Sequence, residues 1–368
     1  MTAPKPPGAA EVSDAARSTV RRKVLWPSWM SISAVTLLLA ACPEVPGWVE
    51  YAPFALSFVL FGLPHGAVDH LALPRLLGRD PWPWPALAVG LLYLVLGGLY
   101  LALWFVAPVF SFATFLVLTW LHWGGGDLHA VVAFAPRGPD YLANRSHRSF
   151  VLLVRGGMPM LVPLLADPET YRAVALSTAG LIADDAKGLL WPFAPAFRLC
   201  AGAAFALLVV GVFVYGYGVA KRRGALAAWR VDAAETTLLA AYFALVPPVL
   251  AVGLYFCLWH APRHVVRLLS LNAPSAVALE EGRVDLARFA RDAAPLTLAA
   301  IILLLGLFFA LPGTGTSLPE LLALYLVLIS VLTLPHVAVV FIMDCGQGIW
   351  GRSGREWVRS QASRGRCA

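Results

Sequence analysis

Long apolar stretches recur along the whole chain, with the polar residues gathered between them. Runs of about 20 apolar residues, the length a helix needs to cross a bilayer's hydrocarbon core, fall at residues 25–43, 51–73, 84–106, 108–134, 191–220 and 319–343. Shorter or interrupted runs lie at 149–166, 234–270 and 293–312. This pattern predicts an all-α polytopic membrane helical bundle of about 8–10 transmembrane or re-entrant helices. Residues 25–344 read as a single transmembrane domain between two basic tails, 1–24 and 345–368. There is no internal repeat. Pro81-Trp82-Pro83-Trp84-Pro85 reads as an interfacial turn with anchoring Trp, and Gly313-Thr314-Gly315-Thr316 as a loop.

The run at 234–270 is interrupted by Pro247-Pro248. Proline removes a backbone donor and clashes with the preceding turn, so the segment predicts a short helix to about residue 246 and a returning helix over 249–270. The first piece, about 12 residues, is too short to span and must be tilted or re-entrant and shielded by protein.

Composition narrows the class. Of 368 residues, 59% are hydrophobic and only 13% charged, against roughly 25% charged in soluble domains. With a mean hydropathy of +0.73, this excludes a disordered chain and an ordinary cytosolic enzyme. The net charge of +7 lies entirely in the tails, +3 over residues 1–24 and +4 over 345–368. Loops alternate in the same sense: Arg75 and Arg79, then Arg137, Arg145 and Arg148, then Lys221, Arg222, Arg223 and Arg230 mark one side, while Glu44 and Glu50, then Asp167, Glu169, Asp184 and Asp185 mark the other. Basic residues gather on the cytoplasmic side of short flanking segments, so both termini are expected in the cytoplasm of a multi-pass protein of the cell inner (plasma) membrane. An even number of crossings follows, which favours the break at Pro247-Pro248. The basic tails lack the aromatic interleaving and binding fold of a nucleic-acid arm, so no nucleic-acid partner is expected.

Cys42, Cys200, Cys257, Cys345 and Cys367 show no paired spacing, which argues against a disulfide framework or zinc ribbon. Leu39-Ala40-Ala41-Cys42 has the form of a lipoprotein lipobox, but equally apolar segments recur throughout, so the first reads as a retained helix.

The candidate chemistry is histidine. Six of eight histidines lie in or beside apolar segments: His65 and His70, His122, His260 and His264, and His336; His129 and His147 lie toward polar loops. A polar group in hydrocarbon is costly and a functional candidate by default. His260 and His264 are four apart, so on a helix both imidazoles project from one face and can share a metal. A returning helix over 249–270 brings them to the depth expected of His65 and His122, whereas a single span would strand His260 at the outer surface. The non-functional reading of the pair is a set of interfacial histidines at a helix end. Gly66 beside His65, and Gly124, Gly125 and Gly126 after His122, permit close approach of a ligand or another helix. Asp69, Asp127 and Asp344 lie near His65, His122 and His336 in sequence and read as carboxylates orienting imidazoles rather than as ligands. Arg155 and Arg263 balance them, with snorkelling to an interface as the other reading of Arg155. Trp120, Trp123, Trp259 and Phe256, with Tyr255 and Phe61, are candidates to line a substrate slot, plain packing being the alternative.

Gly62-Leu63-Pro64-His65-Gly66-Ala67-Val68-Asp69-His70, Trp120-Leu121-His122-Trp123-Gly124-Gly125-Gly126-Asp127, Leu258-Trp259-His260-Ala261-Pro262-Arg263-His264 and Leu334-Pro335-His336, in that order and separation, resemble the Brp/Blh family of bacterial and archaeal β-carotene 15,15′-dioxygenases. The resemblance covers roughly residues 50–345, and its first motif is the most specific. It implies a single non-haem iron(II), Fe(2+), held by four histidines, here His65, His122, His260 and His264. His70 and His336 stand beside them as supporting residues or substitutes for a ligand. It also implies cleavage of β-carotene by O2 at the central double bond into two retinal molecules, with the lipid bilayer as the source of substrate and a retinal-binding rhodopsin as product acceptor. The second motif departs from the family pattern, in which an aromatic flanks the histidine before a single glycine. Four neutral imidazoles leave iron(II) up to two open positions, unlike the two-histidine-one-carboxylate oxygenases. The chain carries no nucleotide, haem or flavin fingerprint, consistent with a reaction that needs no external electrons.

Three other readings compete. A membrane diiron desaturase or hydroxylase would use more histidine boxes than His260 and His264 provide. A metal or small-molecule transporter could use intramembrane His and Asp on broken helices. A non-catalytic assembly factor for a retinal protein would not depend on His65.

Overall fold

The computed structural model describes residues 12–57, 60, 62–77, 84–134, 141–142, 144–182, 187–311 and 315–350. Phe61, the Pro81-Trp82-Pro83 turn, the Gly313-Thr314 part of its loop, the loop charges Arg79, Arg137, Asp184 and Asp185, and the arginines of the C-terminal tail lie outside the described residues.

Every regular element among the described residues is helical, and nine helices are long and apolar enough to cross a membrane. In chain order the elements are α1 (Asp14–Ala41), α2 (Gly47–Ser57), α3 (Gly62–Gly66), α4 (Asp69–Leu76), α5 (Trp84–Val106), α6 (Pro108–Phe134), α7 (Arg145–Ala166), α8 (Pro168–Gly180), α9 (Pro195–Arg223), α10 (Leu226–Leu245), α11 (Pro248–Ser270), α12 (Ala273–Glu280), α13 (Leu286–Ala310) and α14 (Leu318–Gly346). The nine spans include the broken run α2 to α4, counted once, and omit α8, α10 and α12. Helix α1 starts at Asp14, well before the apolar run, because Ser13 accepts from the backbone N–H of Ala16 and so caps it.

The chain does break at Pro247-Pro248: α10 ends at Leu245 and α11 starts at Pro248, its ring filling a first-turn position where no N–H is needed. Helix α10 is longer than the 12 residues expected, running 20 from Leu226. Arg230, Asp232 and Glu235 hide its first half from an apolar count.

Burial sorts the helices. Helix α11 is the most enclosed of the nine spans, whereas α9, α13 and α5 keep most of their length at the periphery. Their exposed side chains, Leu199, Leu207 and Val214 on α9, Leu94 and Leu99 on α5, Ile302, Leu305 and Phe309 on α13, form the apolar outer surface that a bundle in lipid requires. Helix α6 packs along α7, and α14 packs on α5, α6 and α8 around the site. The α6–α7 crossing is close enough to be reserved for glycine. A Cβ at Gly124 would lie 2.2 Å from the Leu152 carbonyl oxygen, and one at Gly156 2.0 Å from that of Trp120. Gly124 therefore serves helix packing rather than a ligand.

A candidate metal centre beside an apolar cavity

His65 stands on a broken span. The run through α2, α3 and α4 is interrupted after Ser57 and again at Ala67 and Val68. Tyr325 on α14 meets the Ser57 hydroxyl at 2.6 Å, while Ser57 gives its own proton to the Phe54 carbonyl at 2.6 Å. A Cβ at Gly62 would sit 2.5 Å from that of Ser57, so the tight resumption of helix needs glycine. Broken backbone at membrane depth is tolerated where protein encloses it, and Leu63, Pro64 and His65 on this short turn are all buried. The His65 Nδ1–H donates to the Gly62 carbonyl, which can only accept, so Nε2 is left as a lone pair.

His260 and His264 sit on α11, where residues Phe256–His260 form a π-helical turn. Pro262 has no N–H to return to the preceding turn, and a widened turn, frequent at functional sites, absorbs the mismatch. The two rings are 6.4 Å apart and nearly parallel, 12° between planes, as a four-residue spacing demands. Arginines one helical step from these histidines fasten α11 to its neighbours. Arg263 pairs with Glu235 at 3.1 Å and lies 3.6 Å above the Trp259 ring; Arg267 pairs with Asp344 at 2.7 Å and donates to Gln347.

These elements bring five buried imidazoles together. His122 on α6 lies 4.8 Å, ring centre to ring centre, from His260 and 6.4 Å from His65; His65 lies 5.5 Å from His264. The fifth ring, His336 on α14, lies 4.6 Å from His122, 5.1 Å from His65 and 5.2 Å from His264. Donor atoms of His65, His122 and His260 lie within 4.8 Å of one another, as do those of Asp69, His264 and His336.

The donor set fits a metal ion. Nε2 of His122 and Nε2 of His260 face each other at 3.1 Å, the separation of two donors at about a right angle on one ion with bonds of about 2.1 Å. Both nitrogens of His264, and Nδ1 of His122, are buried without a hydrogen-bond partner. Unpartnered polar atoms in a protein interior call for a ligand or ion. Gly126 keeps this space open, since a Cβ there would press to 3.1 Å from the His260 ring, and Gly66 abuts His336 at 3.5 Å.

Other sequence candidates are placed differently. His70 is half-buried, donates from Nδ1 to the Ala67 carbonyl at 3.0 Å and lines the cavity without joining the cluster. Asp69 bonds His336 rather than its sequence neighbour His65. Asp127 accepts from Trp259 at 3.0 Å and faces Arg155 at 3.6 Å, and Asp344 takes Arg267, so both support the arginine network rather than an imidazole. Arg155 does not snorkel. It is fully buried and binds Asp232 at 2.5 Å and Glu235 at 2.8 Å, and Glu235 accepts from Trp29 at 2.7 Å. His129 and His147, expected toward polar loops, are buried on α6 and α7, outside the cluster.

Of the five clustered histidines, His65, His122 and His336 form one wall of a cavity of about 390 Å³, whose lining does not include His260 and His264; the volume is within the roughly 300–1,000 Å³ usual for ligand pockets. Of the aromatics singled out in the sequence, Trp123 and Phe256 line it. Trp120 instead donates to the Leu153 carbonyl and packs on Phe205, and Trp259 is fully buried between Asp127 and Arg263. The stripe Phe112, Phe115, Thr119 on α6, outside the sequence motifs, also lines the cavity, and its three- and four-residue spacing puts it on the His122 face. Leu296, Ala299 and Leu303 of peripheral α13 close another side. Tyr171 on α8 also lines the cavity, and burial holds its phenol above the ordinary range.

A lipid-facing helical bundle that encloses an apolar cavity walled by clustered imidazoles defines a polytopic membrane protein with a histidine-lined candidate metal centre. The chain belongs to the beta-carotene 15,15'-dioxygenase family, whose profile matches residues 56–344. It is 47% identical to the Halobacterium salinarum protein named "Probable beta-carotene 15,15'-dioxygenase Blh", over 91% of this chain and 96% of that one. It is 31% identical to the "Probable beta-carotene 15,15'-dioxygenase Brp" of the same organism, over 88% of this chain and 97% of that one. A "Beta-carotene 15,15'-dioxygenase" from an uncultured marine bacterium is 25% identical over 57% of this chain and 66% of its own length. No solved structure matches the chain.

Proposed function

We propose that the protein is a membrane-embedded non-haem iron(II) dioxygenase that splits β-carotene at its central double bond with O2 into two retinal molecules. The observation that carries this reading is the cluster of buried imidazoles, of which His65, His122 and His336 reach the wall of an apolar cavity inside the bundle, in a chain of this family. His65, His122, His260 and His264 are proposed to hold the iron. Iron(II), when bound, supplies the one-electron chemistry that lets triplet O2 react with a closed-shell alkene. Both oxygen atoms end in the two aldehydes, so no reductant is needed.

The remaining roles fall to the chain itself. A long polyene partitions into the bilayer, and α13, which lines the cavity on one side and faces outward along most of its length, offers a lateral way in. Trp123 and Phe256 line the cavity beside the histidines and are proposed to pack on the polyene, and the Arg263–Glu235 and Arg267–Asp344 pairs hold α11, and with it His260 and His264, in place. Both termini are proposed to be cytoplasmic in the cell membrane, a reading supported by the charge distribution; it requires α10, whose 20 residues are long enough, to cross as well as the nine apolar spans. A retinal-binding rhodopsin is the proposed acceptor of the product.

Expression in β-carotene-accumulating bacteria is expected to bleach the cells and yield retinal. Persistent colour with the wild-type chain inserted and iron-loaded would count against carotene as substrate.

A further inference from the structure

His336 differs from an ordinary core histidine in how its two nitrogens are used. Nδ1 lies 2.7 Å from Asp69 Oδ2, and a carboxylate acceptor fixes the proton on Nδ1. The same oxygen accepts the Tyr93 hydroxyl at 2.6 Å, which holds the carboxylate in turn. Nε2 is thereby left as a lone pair, and it is buried without a partner. Its ring lies among His65, His122 and His264 at 4.6–5.2 Å between centres. A carboxylate holding one nitrogen of an imidazole while the other stays free for a metal is the arrangement that sets tautomer and basicity in metal sites.

We infer that His336 is a fifth imidazole arm of the metal centre, oriented by Asp69 and Tyr93, and that it narrows the open coordination from two positions to one. The inference rests on the metal reading proposed above. Asp69 acts as a positioning residue through Oδ2, which His336 and Tyr93 share, while its Oδ1 is buried without a hydrogen-bond partner. On this inference the nearness of Asp69, His264 and His336 donor atoms marks one supported ligand arm, and a second ion held by Asp69 Oδ1 is the competing outcome of the test.

Cobalt(II) is the probe, because its visible spectrum reports coordination without turnover. Metal-stripped full-length protein in detergent is titrated with Co²⁺, alongside His336→Ala, His336→Gln and Asp69→Asn. One Co²⁺ per wild-type chain is expected, with a changed spectrum in both His336 variants and recovery of the wild-type spectrum when imidazole is added to His336→Ala. Asp69→Asn is expected to bind Co²⁺ about 10- to 100-fold more weakly. The inference is overturned if both His336 variants keep the wild-type spectrum and affinity, or if two Co²⁺ bind per chain with Asp69 needed for the second. Failure of the wild type to bind Co²⁺ or iron would instead overturn the metal reading itself. His336→Gln, close in size to histidine, keeps the test readable if the alanine variant does not fold.

Discussion

Replacing any one of His65, His122, His260 or His264 by alanine is expected to lower retinal formation by at least about 10²- to 10³-fold, the loss that follows removal of one preorganised group at a reacting centre, and to lower bound iron in parallel. The expectation follows from convergence. These residues come from three separate places in the chain, α3, α6 and α11, and the structure brings their rings within 6.4 Å of one another. All four are buried, so each truncation removes a donor from an enclosed site. Iron per chain and retinal yield are measured on protein shown to be inserted. His129→Gln, two turns beyond His122 on α6 and outside the cluster, is expected to keep both. Retention of iron and activity by any of the four alanine variants would remove that residue from the proposed ligand set.

The second large effect concerns stability. Arg155 is fully buried and faces three carboxylates, Asp127, Asp232 and Glu235, while Arg263 shares Glu235. Arg155→Met leaves Asp232 without its guanidinium, and breaking a buried pair by removing one partner costs about 3–5 kcal/mol. Replacing both partners with apolar groups is far milder, so Arg155→Met/Asp232→Leu is expected to be more stable than Arg155→Met alone. The coupling has a consequence at the site, because the network ties α7 and α10 to α11 through Arg263, three residues from His260. Arg155→Met is expected to lose iron more readily as well as to unfold at lower temperature. Thermal unfolding in detergent, with iron retention measured on the same samples, checks both; a single variant as stable as wild type would show that the pairs carry no net weight.

Much of this was legible in residue types and spacing. Length and apolar character mark the spans, because a bilayer imposes both. The two prolines at 247 and 248 mark a break, because a missing N–H acts locally. The four-residue spacing of His260 and His264 points both rings one way for the same local reason. What was hidden is what distant partners decide. Helix α10 runs longer than its apolar part because Asp232 and Glu235 find Arg155 and Trp29 across the bundle. Asp69 serves His336, far along the chain, rather than His65 four residues away. Three successive glycines take three different jobs, Gly124 at the crossing with α7, Gly125 beside Asp344 and Gly126 beside His260. Trp120 and Trp123 are three residues apart, yet only Trp123 reaches the cavity, because Trp120 is drawn to the Leu153 carbonyl.

Product stoichiometry from purified protein tests the central claim most directly. Iron-loaded protein in detergent, given β-carotene and O2, is expected to form two retinal molecules for each β-carotene consumed, with none formed by metal-stripped protein and recovery on adding iron(II). Cleavage that persists without metal, or apocarotenals of unequal length in place of retinal, would contradict it.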